Sequence, residues 1–246
     1  MTTSSATHET HNDRLHTKEQ CSAEPPTPYW NINLPPHLHT KTCPPYLRNL
    51  SEKDVSHLHL PDSEYTPFSF SQIRDLITTN SLQSFTRLPS DLHRYRKFVY
   101  DLTRDHGSVE TYMLEQLLGW DAEQLLKRQQ VDGLNESERG FELKDNYKIL
   151  RNDWPYGIEA GIEHLVVWTK FSLGGEEQGE DTGRAAIERF MEETFYTHIP
   201  RENVVWFRNW GALKSVHAVE HFHIMVLNSD PDFLESIIEK PTPLRE

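Results

Sequence analysis

Residues 161–171, GIEHLVVWTKF, decide how the rest of the chain is read. At their centre Leu165-Val166-Val167-Trp168 is a continuous apolar run, the pattern of a strand buried on both faces. Downstream, NVVWFRN (203–209) and HFHIMVL (221–227) read as two further strands, joined by WGALKSVHAVE (210–220). Between the first strand and the second lies a polar loop, LGGEEQGEDTG. After it Asp181 or Thr182 caps a helix whose apolar stripe is Ile187, Phe190, Met191 and Phe195.

Upstream the period is helical. Phe70, Ile73, Leu76 and Ile77 predict a helix over 69–80, and Leu92, Tyr95, Phe98, Val99 and Leu102 predict a longer one over 90–106, stopped by Gly107. Ser108 caps VETYMLEQLLGW, and an Asp-led stretch, DAEQLLKRQQ, follows Trp120. The expected architecture is therefore a single α+β domain over 68–240, its helical N-terminal half packed on a small, mainly antiparallel sheet. Ahead of it, residues 1–67 hold nine of the fifteen prolines and seven of the fourteen histidines. Residues 1–28 read as a disordered tail, and 29–67 as an extended Pro-rich arm whose aromatics pack on the domain surface.

The 246 residues carry 25 Lys and Arg against 38 Asp and Glu, a net charge of −13. That balance argues against a duplex DNA partner, since phosphate neutralisation supplies most of such affinity. No apolar run reaches the roughly 18 residues of a membrane span, and the N-terminus has no apolar signal core. A cytoplasmic or nuclear protein with reduced Cys21 and Cys43 is expected.

Strand alternation puts His221 and His223 on one face, with Phe222 and Ile224 on the other. Two imidazoles side by side suit nucleophilic or acid–base work, or surface display on a half-buried strand. A metal would need a third ligand from His164, His217 or Asp153. With no sequential zinc spacing, neither metal nor cofactor is expected. The second cluster is Arg151-Asn152-Asp153-Trp154-Pro155-Tyr156-Gly157, either a pocket wall with Asp153 as base or anchor, or a packed loop in which Asp153 caps its own turn. Glu159 and Glu163 extend its acidity. Arg94 and Lys97, with Arg104, fall near one face of the long helix, as a phosphate or tRNA-backbone contact or as a solvated charged face.

From Asn209-Trp210-Gly211 through Ser215-Val216 to His221-Phe222-His223, the sequence resembles the histidine-triad signature of nucleotide hydrolases and transferases. That resemblance implies attack on phosphorus by His223. Here Met225 stands where that family has its third histidine, and three extra residues separate Ser215 from His221. Three longer blocks carry a wider resemblance: RLPSDLHRYRKFVYDLTRDHGSVETYMLEQLLGW, RNDWPYGIEAGIEHLVVWTKF and VVWFRNWGALKSVHAVEHFHIMV. They resemble the fungal N-acetylglucosamine-induced protein family, a domain of unknown function, over about residues 70–227. The same blocks also resemble the fungal arginine-containing cyclodipeptide synthases, although their Asp-Asp-x-x-Glu string does not occur here. The resemblance implies group transfer on a nucleotide- or aminoacyl-tRNA-activated small molecule, in amino-sugar or secondary metabolism. A tRNA-dependent cyclodipeptide synthase and a non-catalytic regulatory or binding protein are the alternatives. Catalysis would fall to His223, His221 and Asp153, with substrate contacts from Trp154, Tyr156, Glu163, Lys170, Arg208, Asn209, Ser215, Arg94 and Lys97.

Overall fold

A computed structural model describes residues 26–121, 125, 140–174, 182–209 and 219–239. The tail expected at 1–28 therefore lies almost wholly outside the described residues, as do most of DAEQLLKRQQ and the loop that holds Ser215 and His217. Four strands, β1 Tyr147–Arg151, β2 Ile162–Thr169, β3 Val204–Phe207 and β4 Glu220–Leu227, form one antiparallel sheet in the order β1-β2-β4-β3. The central pair, β2 and β4, sets Val166 opposite His223 and Trp168 opposite His221.

The helices are α1 Glu52–Leu58, α2 Phe70–Thr78, α3 Pro89–His106, α4 Val109–Tyr112, α5 Thr182–Met191 and α6 Pro231–Ile237. Helix α4 runs on through Met113–Leu118 and α5 through Glu192–Tyr196, both as π-helical turns. Local signals place the starts as expected. Ser69 and Gln72 form a reciprocal capping box at α2, Ser108 accepts from the Thr111 amide at α4, and Gly107 ends α3 at φ 78°.

Alternation along the strands divides the core. Leu165, Val167, Phe222, Ile224 and Val226 face a cluster with Ile187, Phe190 and Met191 of α5 and Leu234 of α6. Each such fully buried side chain is worth about 1.5–3 kcal/mol of transfer free energy. The opposite face is covered in two blocks. Met113, Leu117 and Leu118 pack on Leu150, Val166 and Trp168 at one end, and Phe70, Ile73 and Phe85 pack on Ile162, Phe207 and Met225 at the other. His164 and His223 lie on the seam between the two blocks.

Three elements depart from the sequence reading. Strand β1 lies at and just ahead of Arg151, where the sequence reading placed no element. Helix α6 follows the sheet. The arm at 29–67 is not extended throughout. It carries α1, capped by Ser51, and its Leu47 and Leu58 are fully buried against Leu92 of α3. No helix among the described residues is long and apolar enough to cross a membrane.

Candidate functional site

A cavity of about 100 Å³ opens between the histidine face of the sheet and the helical front half. Its floor is Leu150, Val166, Trp168, His221 and His223, and its roof is Tyr95, Phe98, Val99, Val109, Met113 and Leu117 from α3 and the α4 region. The loop after β1 closes one side with Asn152, Asp153, Trp154 and Tyr156, and Arg87 enters from the residues just before α3. An apolar lining with a few convergent polar groups is the usual build of a small-ligand site, and the volume suits several waters or the end of a small molecule.

The polar groups form a chain. His164 Nε2 lies 3.1 Å from His223 Nδ1, and the Asn209 side-chain nitrogen lies 3.1 Å from His223 Nε2. With the amide nitrogen donating, His223 Nε2 accepts, so its Nδ1 carries the proton and donates to His164. His221 is fixed differently: its Nδ1 lies 2.9 Å from the Val219 carbonyl, which only accepts, so Nδ1 carries a proton. The His221 ring stands 4.6 Å from Trp168 and 5.5 Å from His223, the latter edge-on at 80°.

Burial sets the electrostatics. His164, His221 and His223 are 5%, 4% and 7% exposed, which rules out the surface-display reading of the pair on β4. Loss of hydration pushes His164 down to about 3, with the Arg87 charge adding to it. His223 is lowered well below its ordinary value, first by burial, then by His164, His221 and Arg87. Both are neutral at physiological pH. Among the described residues no group of three or more His, Cys, Asp or Glu side chains is arranged to hold a metal.

Of the expected site residues, the structure gathers His221, His223, Asp153, Trp154, Tyr156 and Asn209 around the cavity. Tyr156 stacks on Phe85 at 4.7 Å and on His164 at 5.3 Å, and its hydroxyl is 3.5 Å from the Asn209 amide. The other contacts fall elsewhere. Glu163 lies on the opposite face of β2 and pairs with Arg151, which also binds Glu235 of α6. Arg208 is a structural clamp, donating to the Leu173 and Gly174 carbonyls and to Glu220. Lys170 sits 5.3 Å over the Trp120 ring, away from the cavity. Arg94, Lys97 and Arg104 lie on an exposed face where Asp91 pairs with Arg94, Asp101 bridges Lys97 and Arg104, and Asp105 also pairs with Arg104, so that face is not a net cationic patch. Ser215 falls outside the described residues. Met225, in the position of the third triad histidine, is fully buried in the apolar block under α2 and carries no proton for a leaving group.

Arg87 was not among the site residues expected from sequence, and His164 was noted only as a metal-ligand candidate. Their positions depend on cross-strand register and on the loop before α3, which leave no local sequence signal.

The comparisons with known proteins bear on this region. A family model described as a protein of unknown function, DUF3605, matches residues 69–227. N-acetylglucosamine-induced protein 1 of Candida albicans is 29% identical over 186 residues, covering 70% of this chain and 73% of that protein. An uncharacterized protein of Saccharomyces cerevisiae is 24% identical over 183 residues, covering 71% and 85%. The crystal structure of HTC1 superposes with a TM-score of 0.50 at 23% identity, over 69% of this chain and 92% of that one, a likeness of fold. Arg87, Asp153, His164, Asn209, His221 and His223 all lie inside the matched span, and the chain belongs to the DUF3605 family.

Proposed function

We propose that the cavity is the active site of a group-transfer enzyme acting on a small activated molecule, with His221 as the base. One observation carries this: the His221 ring, held by its Nδ1 bond to the Val219 carbonyl, lines an apolar cavity beside the hydrogen-bonded His223–Asn209 pair. In such a site His221 Nε2 takes the proton of an attacking hydroxyl or amine as the new bond to the activated carbon or phosphorus forms, while the bond to the carrier breaks and the carrier leaves with the electron pair as an anion. Asp153, on the same wall as Trp154, anchors the attacking group. His223 holds the site's polar geometry and is not itself the nucleophile, because both of its ring nitrogens are engaged by protein groups. The cavity volume admits only the transferring end of a substrate, so a nucleotide or tRNA carrier would remain outside it.

A binding protein without chemistry is the second reading. It is favoured by Met225 in the place of a proton donor and by the engaged nitrogens of His223. Incubation with nucleotide sugars and, separately, with aminoacyl-tRNA pools, followed by mass spectrometry of the products, separates the two. Under the enzymatic reading a product forms, and His221→Asn lowers turnover about 100-fold or more while the melting temperature stays within a few degrees. Ligand retention with no product in either pool would move the assignment to the binding protein.

A further inference from the structure

The sheet and α3 neutralise their cations internally. Arg94 pairs with Asp91, Arg96 with Asp54, Arg151 with Glu163 and Glu235, and Arg208 with Glu220. Arg87 is built differently. Among the described residues it forms no ion pair. Its Nε donates to the Trp154 carbonyl at 3.1 Å, which fixes the plane of the guanidinium. The cation lies 4.2 Å over the Tyr95 ring and 5.5 Å from the Tyr156 ring, held by aromatic faces instead of a carboxylate. It lines the cavity, and the hydrogen bond to Trp154 leaves both terminal nitrogens for another acceptor.

A second, independent feature points the same way. Asn209 is 6% exposed, lines the same cavity, and its Oδ1 is buried with no hydrogen-bond partner among the described residues. A buried acceptor left without a donor costs about 1–3 kcal/mol, so a ligand that supplies the donor recovers it. Guanidinium forks are matched in shape to carboxylate and phosphate oxygens, which they bind through two parallel hydrogen bonds.

We propose that Arg87 is the oxyanion-recognition residue of the cavity, and that its ligand is a small molecule joining a carboxylate or phosphate to an apolar or aromatic body, with a hydrogen-bond donor for Asn209. The inference rests on the active-site reading of the same cavity, but it concerns binding and is measured apart from turnover. The apolar roof, Phe98, Val99 and Met113, contacts the body while the oxyanion sits on Arg87.

The probes are benzoate and phenyl phosphate, with benzamide as a neutral analogue of similar size, titrated calorimetrically into the full chain. Either anion should bind at least tenfold more tightly than benzamide, and the tighter of the two identifies carboxylate or phosphate. Arg87→Gln should erase that preference, leaving benzamide unaffected. Arg87→Lys keeps the charge and the contact with Tyr95, so it should retain part of the preference even if the Gln variant melts early. Anions that bind no better than benzamide, or a preference that survives Arg87→Gln, would overturn the inference while leaving the turnover assay to decide the enzymatic reading. Absence of any product from the wild-type protein, with the anion preference retained, would do the reverse.

Discussion

His164 shows how much a single buried side chain governs. It bonds His223, stacks under Tyr156 and receives the Asn152 amide at 3.3 Å, all within a few ångströms of a cavity whose polar wall it backs. Its ionisation is suppressed to about 3, against about 6.5 in an unfolded chain. Above pH 6.5 both states hold it neutral and it contributes no pH dependence. As the pH falls below 6.5, the unfolded chain binds a proton that the folded chain refuses, so stability drops, by about 2 kcal/mol per such group at pH 5, and keeps dropping until pH approaches 3. His223 and the buried His93 are shifted in the same direction and add to the slope. The urea midpoint should therefore fall steeply between pH 7 and pH 5, and His164→Gln should remove about one proton from that slope. An unchanged slope in the variant would mean that His164 takes up its proton in the folded state. This residue also marks the limit of sequence reading at the site. The pairing of His221 with His223 follows from alternation alone, but bringing His164 to His223 requires knowing that Val166, two residues further on, stands opposite it.

At the scale of elements, periodicity was legible wherever an element packs on one face, and poorly legible where an element is held by its partners. Helices α2, α3 and α5 have apolar stripes of the right period, and strands β2 and β4, covered on both faces, stand out by their near-continuous apolar runs. Strand β1 does not: Tyr147-Lys148-Ile149-Leu150-Arg151 alternates weakly and owes its place to pairing with β2 from Tyr147 to Arg151. The same holds for the loop after it, whose shape comes from distant contacts. Gly157 donates to the Thr86 carbonyl at 2.9 Å and accepts from the Phe68 amide at 2.8 Å, while the Tyr65 hydroxyl binds the Thr86 and Gly157 carbonyls at 3.2 Å. A Cβ on Gly157 would overlap the hydroxyl and ring edge of Tyr65, so there is no room for a side chain between loop and arm. Gly157→Ala should lower the melting temperature by about 3–10 °C, the scale of an overpacked contact in a chain this long. In a Tyr65→Ser background the same change should cost much less, since the overlapping ring is gone. Equal losses in both backgrounds would place the strain elsewhere in the loop.

Over the whole molecule, the arm packs on the family domain, although the family match begins only at residue 69. Leu47 and Leu58 are fully buried against Leu92, with Tyr29, Trp30 and Tyr46 packed around them. The Tyr29 hydroxyl donates to the Leu47 carbonyl at 2.8 Å, and Asn33 and Asp62 tie the start of the arm to its end. The arm therefore braces α3, and α3 carries Tyr95, Phe98 and Val99 of the cavity roof. Composition announced aromatics in need of packing, but a segment with nine prolines in its surroundings gave no period from which to place α1 or its partner. The consequence is a graded response to truncation. Residues 1–25, polar and aperiodic in sequence, should be removable with less than about 5 °C lost in melting temperature. Leu47→Ala in the full chain should cost about 2–5 kcal/mol, or roughly 5–15 °C, by opening a cavity beneath α3. Removal of residues 1–50 should go further, loosening α3 and weakening ligand binding in the cavity together with stability. A chain beginning at residue 51 that melts and binds like the full protein would show that the arm rests on the domain without bracing it.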